Sequence, residues 1–287
     1  MSRGYITIAQ NTADNDYLKM SYGLALSLKA TQKENNICLC VDEDTKAKLE
    51  PKHYEVFTDI VPIPWYDHAK HEPSWKIQNK WKYTYMTPYD ETVILDSDVV
   101  FTEDISHWWD FMGKKDVWAC TNVKTFRGED VTSRFYRKKF DAFNLPDIYS
   151  NFTYFKQSDL TYEVFKLVEV IMNNWNVYYE QFLKGVGQQW LSADLAYALA
   201  IKLLDAEDET TNTFIKDMPT FVHMKSHVQN IPNTKIDNDW TKSITSSLND
   251  DLSVTVGNYK QTLPFHYVEK NWMDDMKISK YEKVLGI

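Results

Sequence analysis

The first hundred residues alternate between short apolar segments and a helical pattern, and this alternation most limits the possible folds. The expected strands are residues 4–9, 37–41, 56–63 and 93–95. Between the first two, apolar side chains recur with the spacing of one face of an α-helix. They are Tyr17, Met20, Leu24 and Leu28. Strand–helix–strand successions form parallel strands with crossover helices. We therefore predict an α/β fold, with a mostly parallel central sheet and helices on both faces.

Three further helices are expected besides a short one over residues 105–112. One spans residues 74–86. A second is capped by Ser158 or Asp159 and runs to Trp175 on a broad apolar stripe. The third spans residues 190–204. No repeat or clear linker interrupts the chain, so we expect a single domain, residues 1–287.

Composition excludes several classes of protein. Hydrophobic residues make up 43% of the 287 residues and aromatic residues 15%, which is enough apolar surface for a folded core. The formal net charge of −9 argues against a general affinity for nucleic acid. No stretch reaches the ~18 consecutive apolar residues of a membrane-spanning helix, and we see no signal-peptide pattern. We expect a soluble cytoplasmic protein without a membrane partner. Cys38, Cys40 and Cys120 have neither zinc-site spacing nor an even count.

The segment Thr92–Val100 ends an apolar strand in two carboxylates, Asp96 and Asp98, with Ser97 between them. Side chains two residues apart on an extended backbone point to the same side. Carboxylate oxygens are the ligands that hard divalent cations prefer. In open α/β sheets, ligands bind at the carboxyl ends of the strands. An arbitrary D-x-D is more often a solvated strand end, but this position favours a metal site.

Two blocks, residues 11–30 and 79–106, together with late segments that contain His and Lys, resemble the nucleotide-sugar glycosyltransferases of the GT-A fold. The likeness is closest to family 8 and glycogenin. That family places a Lys or Arg on the helix before the strand, then Pro or Gln and a turn, then an apolar strand that ends in D-x-D. Lys80, Pro88 and the Asp96–Asp98 segment occupy those places. The chain also resembles glycosyltransferases encoded by tailed phages.

The resemblance implies a Rossmann-like GT-A fold and transfer of a sugar from a nucleoside-diphosphate sugar, with UDP as the expected nucleotide and retention as the expected stereochemistry. It divides the chain into a nucleotide-sugar-binding half (1–125), an acceptor-side half (126–230) and a C-terminal extension (231–287). Mn²⁺ or Mg²⁺ on Asp96 and Asp98, helped by Lys80, would stabilise the departing diphosphate. The residues implied to hold the base and ribose are Ala9, Gln10, Asn11 and Tyr17, and Ser97 is a further donor contact.

The family's third metal ligand is a late histidine, in a segment resembling H-F-x-G-x-x-K-P-W. His223 and His266 are the two candidates. The segment with His266, residues 265–272, keeps more of the motif's residue types but is two residues shorter. Strand context and the following Lys225, a candidate donor contact, favour His223. Neither segment has the glycine or the Lys-Pro-Trp sequence.

Asp194 and Asn151 are the catalytic candidates that the resemblance implies. The segment 190–195 resembles the start of the helix that carries an acidic or amide residue beneath the donor sugar. Asp194 is therefore expected to contact a sugar hydroxyl or to orient the acceptor. The alternative is an acid that merely complements the helix dipole. Asn151, after the D-x-D region, is expected to reach the sugar.

The acceptor prediction depends on the basic and aromatic run Arg134–Phe140. Such a run can grip phosphates and stack on bases, although charge runs are more often solvated helix faces. Because some phage enzymes of this kind modify DNA, the predicted acceptor is a hydroxyl, with DNA that carries hydroxymethylated bases as one candidate. The oligomeric state is not predicted.

Two other functions fit parts of the pattern. Residues 94–100 also match the hydrophobic-DxDx(T/V) motif of haloacid dehalogenase-type phosphatases, in which the first Asp is a nucleophile. That motif normally follows the first strand, whereas here about ninety residues with their own strand–helix pattern come first. A non-catalytic carbohydrate- or nucleotide-binding module would fit the aromatic content but makes no use of Lys80, Asp96 and Asp98 together. Nucleotide-induced thermal stabilisation with and without Mn²⁺ distinguishes the glycosyltransferase hypothesis from these two alternatives.

Overall fold

The computed structural model describes residues 1–72, 76–131, 137–211, 218–224 and 246–287. Its strands are β1 Arg3–Ala9, β2 Ile37–Val41, β3 Asp59–Pro62, β4 Glu91–Leu95, β5 Val99–Val100, β6 Val117–Ala119, β7 Phe152–Lys156, β8 Val222–His223, β9 Ser246–Leu248, β10 Val254–Val256, β11 Tyr259–Lys260 and β12 Phe265–His266. Its α-helices are α1 Tyr17–Thr31, α2 Glu43–Lys46, α3 Pro51–Val56, α4 Tyr83–Met86, α5 Trp109–Met112, α6 Lys138–Ala142, α7 Asp159–Asn173, α8 Trp175–Tyr178, α9 Ala193–Leu203, α10 Glu207–Thr211 and α11 Asp275–Leu285.

The central sheet has six strands in the order β3-β2-β1-β4-β7-β6. The first four of these are parallel, whereas β7 is antiparallel to both of its neighbours. This confirms the predicted α/β class with a mostly parallel sheet. Because β7 runs against β4, with Phe152 opposite Leu95, the start of β7 meets the carboxyl ends of the parallel strands. Residues after β1, β2 and β4 therefore lie at the same edge of the sheet as residues before β7.

Helices cover both faces of this sheet, and side-chain alternation along each strand assigns its residues to one face or the other. On β2, Ile37 and Leu39 belong to the buried cluster that contains α1 and α11. Cys38 and Cys40 belong to the cluster that contains α7 and α9. The two thiols therefore lie on one face as small buried hydrophobic groups.

The long helices begin close to where the sequence predicts them. Ser158 is the N-cap of α7, and its hydroxyl accepts a hydrogen bond from the backbone N–H of Thr161 at 3.1 Å. The helix expected over residues 74–86 is shorter in its described part, which is helical only from Lys80 to Met86, as the 3₁₀ turn Lys80–Lys82 and the single turn α4. None of the helices in the described ranges combines the length and apolar character needed to cross a bilayer.

A second, small sheet adjoins the end of β4. Its order is β5-β12-β8, and β5 follows Asp98 directly. β12 is antiparallel to β5 and parallel to β8, so His266 lies opposite Val99 and beside His223. This register brings two late segments of the chain to the residues that follow β4.

The C-terminal segment packs against α1. The hydroxyl of Tyr22 donates a hydrogen bond to Glu282 Oε1 at 3.1 Å. At Gly23, a Cβ atom would lie 2.6 Å from carbon atoms of Met273, so the missing side chain permits this close approach. Tyr281 of α11 is 0% exposed and belongs to the same buried cluster as α1. The end of the described chain is therefore part of the main core.

This packing predicts that Tyr281→Ala lowers the free energy of unfolding by about 3–5 kcal/mol, the usual cost of truncating a buried large side chain. The Tyr281 hydroxyl is buried without a hydrogen-bond partner in the described ranges. Tyr281→Phe is thus the matched control, and it should be neutral or slightly stabilising. Urea denaturation followed by circular dichroism measures both variants. A loss below about 1 kcal/mol for Tyr281→Ala would contradict the packing.

Candidate active site

Asp96 and Asp98 follow β4 at the carboxyl edge of the central sheet, and each is paired with a lysine. Lys80 Nζ donates a hydrogen bond to Asp96 Oδ1. Lys270 Nζ donates to Asp98 Oδ2 at 2.6 Å. Lys80 comes from the 3₁₀ turn before β4, and Lys270 comes from the segment after β12. The turn before β4, the end of β4 and the segment after β12 therefore bring their charged side chains together.

Asp98 is an ionised carboxylate in the interior, with its side chain 3% exposed. Its Oδ2 lies 3.1 Å from Nε2 of His266 in addition to its contact with Lys270. Burial by itself would raise the pKa of Asp98. The charges of His266 and Lys270, and their hydrogen bonds, outweigh burial and hold the pKa well below its ordinary value.

The imidazole of His266 is held between Asp98 and Asn151. One ring nitrogen faces Asp98, and the other, Nδ1, lies 3.3 Å from the side-chain amide nitrogen of Asn151. The ring of His223 meets the His266 ring edge to face, with centroids 5.0 Å apart. Asn151 is thus placed to orient His266 from behind.

Asp96, Asp98 and His266 have the geometry of a metal site. Each offers one ligand atom, and these atoms all lie within 4.8 Å of one another. Two carboxylate oxygens and one imidazole nitrogen suit Mn²⁺ as well as Mg²⁺. Of the two histidines that the sequence left open, His266 is the one grouped with both carboxylates. Among the described residues, His223 lies beside this group and not in it.

A cleft of about 370 Å³ connects the predicted site residues. Those that line it are Gln10, Tyr17, Lys80, Asp96, Ser97, Asp98, Asp194, His223 and His266. Ala9 is buried in the core, Asn11 and Asn151 lie outside the lining set, and Lys225 lies outside the described residues. Polar lining residues that the sequence analysis did not select are Lys76, Ser150, Ser192 and Lys270.

At one end of the cleft, Gln10 belongs to a buried polar network. Its side-chain amide donates to Asp42 Oδ2 and to Asp67 Oδ2, each at 3.1 Å. Its carbonyl accepts a hydrogen bond from the Asn79 amide at 2.9 Å, and Asn79 also donates to Asp67 Oδ1 at 2.6 Å. Gln10, at the end of β1, is therefore held in a fixed orientation by its neighbours.

The loop between β1 and α1 has a structural role and also contributes an aromatic wall. Asn11 Oδ1 accepts a hydrogen bond from the backbone N–H of Leu18 at 2.8 Å, and its amide donates to Asp16 at 2.9 Å. These bonds hold the start of α1. Tyr17, the first residue of α1, faces the cleft, and the Lys270 ammonium lies 5.4 Å from the centre of its ring.

At the other end of the cleft, Asp194 is held by a buried arginine. Arg137 donates to Asp194 Oδ2 at 2.7 Å, while Asp194 Oδ1 accepts from the N–H and the hydroxyl of Ser150 at 2.9 and 2.7 Å. Burial alone would raise the pKa of Asp194. The Arg137 charge and the Ser150 hydrogen bonds lower it below the ordinary value. Asp194 is therefore a fixed anion.

The basic run is not a surface patch in its described part. The Arg137 guanidinium is stacked 3.7 Å from the ring centre of Phe140 and 4.0 Å from that of Tyr149. Lys139 is also buried and donates to the backbone carbonyl of Leu183. Lys138 is exposed, and residues 134–136 lie outside the described ranges. The contacts that Arg137 and Lys139 were expected to make with the phosphates and bases of a nucleic acid are made with other parts of the protein.

Sequence reasoning missed Lys270 as a site residue and gave Arg137 the wrong environment. Lys270 lies in the segment that was compared with the family motif, but its distance from His266 is two residues shorter than in that motif. Val268 between them has a positive φ of 66°, a backbone conformation that favours glycine. The presence of a lysine shortly after the histidine was the available signal. For Arg137 the signal was the alternation of aromatic and basic residues.

In sequence comparisons, no protein-family model and no curated protein matches the chain. Among solved structures, mouse xyloside xylosyltransferase 1 is 12% identical at a TM-score of 0.43, with 74% of this chain and 85% of that chain covered. Galactosyltransferase LgtC is 14% identical at a TM-score of 0.40, with 68% of this chain and 69% of that chain covered. The 4-diphosphocytidyl-2C-methyl-D-erythritol synthase of Anaerococcus prevotii is 12% identical at a TM-score of 0.38, with 79% of this chain and 90% of that chain covered. Identities and TM-scores this low carry no argument about function, which is therefore inferred from the geometry of the site.

The buried position of Arg137 predicts a contrast between two charge reversals in the same run. Arg137→Glu places an anion beside Asp194 and Asp147 and should destabilise the fold by about 3 kcal/mol or more. Lys138→Glu, on the exposed neighbour, should change the free energy of unfolding by less than about 0.5 kcal/mol. Thermal and urea unfolding of both variants measure the contrast. Equal stabilities would show that Arg137 is a solvated residue after all.

Proposed function

We propose that this chain is a metal-dependent glycosyltransferase that moves a sugar from a nucleoside-diphosphate sugar to an acceptor hydroxyl. The observation that carries the proposal is the meeting of the Asp96–Asp98–His266 group with Lys80 and Lys270 in one cleft. Ligands for a divalent cation beside two ammonium groups suit a diphosphate, whose oxygens bind both. A volume of about 370 Å³ is within the range of small-molecule sites.

The cleft supports an assignment of its parts along the donor. The end at Gln10 and Tyr17 would take the base and ribose, with the Tyr17 ring as an apolar wall. The D-x-D residues and the two lysines would take the diphosphate. The end with Ser150, Ser192 and Asp194 would take the sugar, because hydroxyl and carboxylate groups are its natural hydrogen-bond partners.

The charges in the centre fit the chemistry of the leaving group. Breaking the bond between sugar and diphosphate leaves negative charge on the diphosphate. Lys80 and Lys270 would stabilise that charge by hydrogen bonds and by their positive charge. A divalent cation held by Asp96, Asp98 and His266 would supply Lewis-acid stabilisation of the same oxygens. Asn151 would keep the His266 ring in the orientation that this requires.

Asp194 is suited to orienting the sugar and poorly suited to attacking it. Three hydrogen bonds from Arg137 and Ser150 hold its two oxygens. An ionised carboxylate accepts about four, so roughly one position stays open for a sugar hydroxyl. The proposed role of Asp194 is therefore to accept a hydrogen bond from the donor sugar at a fixed place.

The finer parts of the proposal rest on the sequence resemblance alone. They are a UDP-sugar donor, Mn²⁺ as the preferred ion and retention of the anomeric configuration. A hydroxymethylated base in phage DNA is kept as one acceptor to test, although Arg137 and Lys139 give it no support because both are buried. A gel shift on hydroxymethylated and plain DNA at two salt concentrations tests it, and binding to neither would remove the idea.

The central experiment is a panel of nucleotide sugars with Mn²⁺, scored for release of nucleoside diphosphate. Asp98→Ala should lower the rate on the active donor on the order of 10³-fold or more, because one of two metal carboxylates is lost. Asp98→Asn tests the same charge with little change of shape. Asp110→Asn, at an exposed carboxylate outside the cleft, is the matched control and should keep wild-type activity. Full turnover by Asp98→Ala in EDTA would exclude the metal-dependent mechanism.

A second experiment separates transfer from phosphatase chemistry at Asp96. In the structure Asp96 is hydrogen-bonded to Lys80 and follows β4, the fourth strand in chain order. As a metal-side residue it should form no aspartyl phosphate, and p-nitrophenyl phosphate should not be hydrolysed. Mass spectrometry after incubation with phosphate monoesters or with a fluoride analogue measures this. A trapped adduct at Asp96 would decide for the phosphatase.

A further inference from the structure

The charges at the centre of the cleft already cancel. Asp96 is paired with Lys80, and Asp98 is paired with Lys270. Two carboxylates and two ammonium groups leave no net charge, apart from any proton on His266. A divalent cation alone would add two positive charges to this balanced cluster, and the diphosphate of a nucleoside-diphosphate sugar alone would add two negative charges. Only the two together leave the local charge nearly unchanged.

The lysines compete directly with a cation for the carboxylates. Oδ2 of Asp98 accepts from Lys270 Nζ at 2.6 Å and lies 3.1 Å from His266 Nε2. A cation that binds through this oxygen therefore displaces Lys270 or lies beside its positive charge. The same holds for Asp96 Oδ1 and Lys80. Both lysines thus oppose binding of the metal by itself.

Lys270 is the exposed partner of a buried carboxylate. The Lys270 side chain is 37% exposed, whereas Asp98 is 3% exposed and lies between β4 and β5. In the second pair, Lys80 is 15% exposed and Asp96 is 26% exposed, so this pair is also partly open to solvent. Apart from Asp98, Lys270 contacts the ring of Tyr17, which lines the cleft. A short swing of its flexible stem carries the ammonium from the carboxylate towards a ligand in the cleft.

We propose that Lys80 and Lys270 are exchangeable counter-ions, which leave the carboxylates for a diphosphate and thereby make metal binding and diphosphate binding depend on each other. The diphosphate accepts the hydrogen bonds that the lysines give up, and the cation replaces them at Asp96 and Asp98. This inference rests on the proposed function for the identity of the anion. On this proposal the two lysines weaken the binding of the cation by itself and strengthen the binding of the diphosphate. A purely structural role does not produce these opposite effects.

The first test titrates the protein with Mn²⁺ alone and measures the concentration of free Mn²⁺ by electron paramagnetic resonance. Lys270→Met should bind Mn²⁺ more tightly than the wild-type protein, on the order of 10-fold, since a competing charge is removed. Lys80→Met should shift the affinity in the same direction and is an independent variant if the first folds poorly. Lys76→Met is the matched control, because Lys76 lines the same cleft but pairs with Asp42 at 3.6 Å. Its Mn²⁺ affinity should stay within about twofold.

The second test measures UDP and inorganic pyrophosphate binding by calorimetry with and without saturating Mn²⁺. Wild-type protein should bind each anion at least roughly 10-fold more tightly with the metal, and Lys270→Met should lose most of this coupling. Unchanged or weaker Mn²⁺ binding by both lysine variants would overturn the proposal, and so would equal anion affinity with and without metal. If neither anion binds under any condition, the proposed function fails. The nucleotide-free Mn²⁺ titrations then decide the counter-ion role on their own.

Discussion

The burial of the Asp98 charge is the constraint on which the arrangement of the site depends. A carboxylate that is almost fully buried is costly unless cations and hydrogen-bond donors surround it. Here the partners of Asp98 come from the end of the chain, as the His266 imidazole on β12 and the Lys270 ammonium just after it. The pairing of β12 with β5 brings both groups to Asp98. Pairing of β12 with β8 places His223 beside His266.

The same constraint operates at the opposite end of the cleft. Arg137 is buried, so its charge is compensated by Asp194 and Asp147, and its plane is covered by the rings of Phe140 and Tyr149. This satisfies the geometric demands of a guanidinium, which binds carboxylates in its plane and stacks on aromatic faces. The segment before β7 and the first turn of α9 are thereby joined. These buried ion pairs hold Asp194 at a fixed place in the cleft.

Asp98 and Lys270 contribute to the site in different ways. Asp98 lies between two strands and is 3% exposed, so the fold sets its position. Lys270 reaches Asp98 through a flexible four-carbon stem and is 37% exposed. A site built in this way recognises charge through the lysines and geometry through the carboxylates. Gln10, held by Asp42, Asp67 and Asn79, extends the rigid part to the nucleotide end.

The sequence by itself determined the α/β class, the cap of α7 and the D-x-D at the end of β4, because strand and helix periodicity and capping are local properties. It also indicated the candidate residues that line the cleft. Only the tertiary structure grouped His266, and not His223, with the two carboxylates, brought Lys270 to Asp98 and turned Arg137 inward to Asp194. These choices depend on strand register and on the pairing of buried charges across more than fifty residues of chain. Such long-range pairings leave no periodic signal in the sequence.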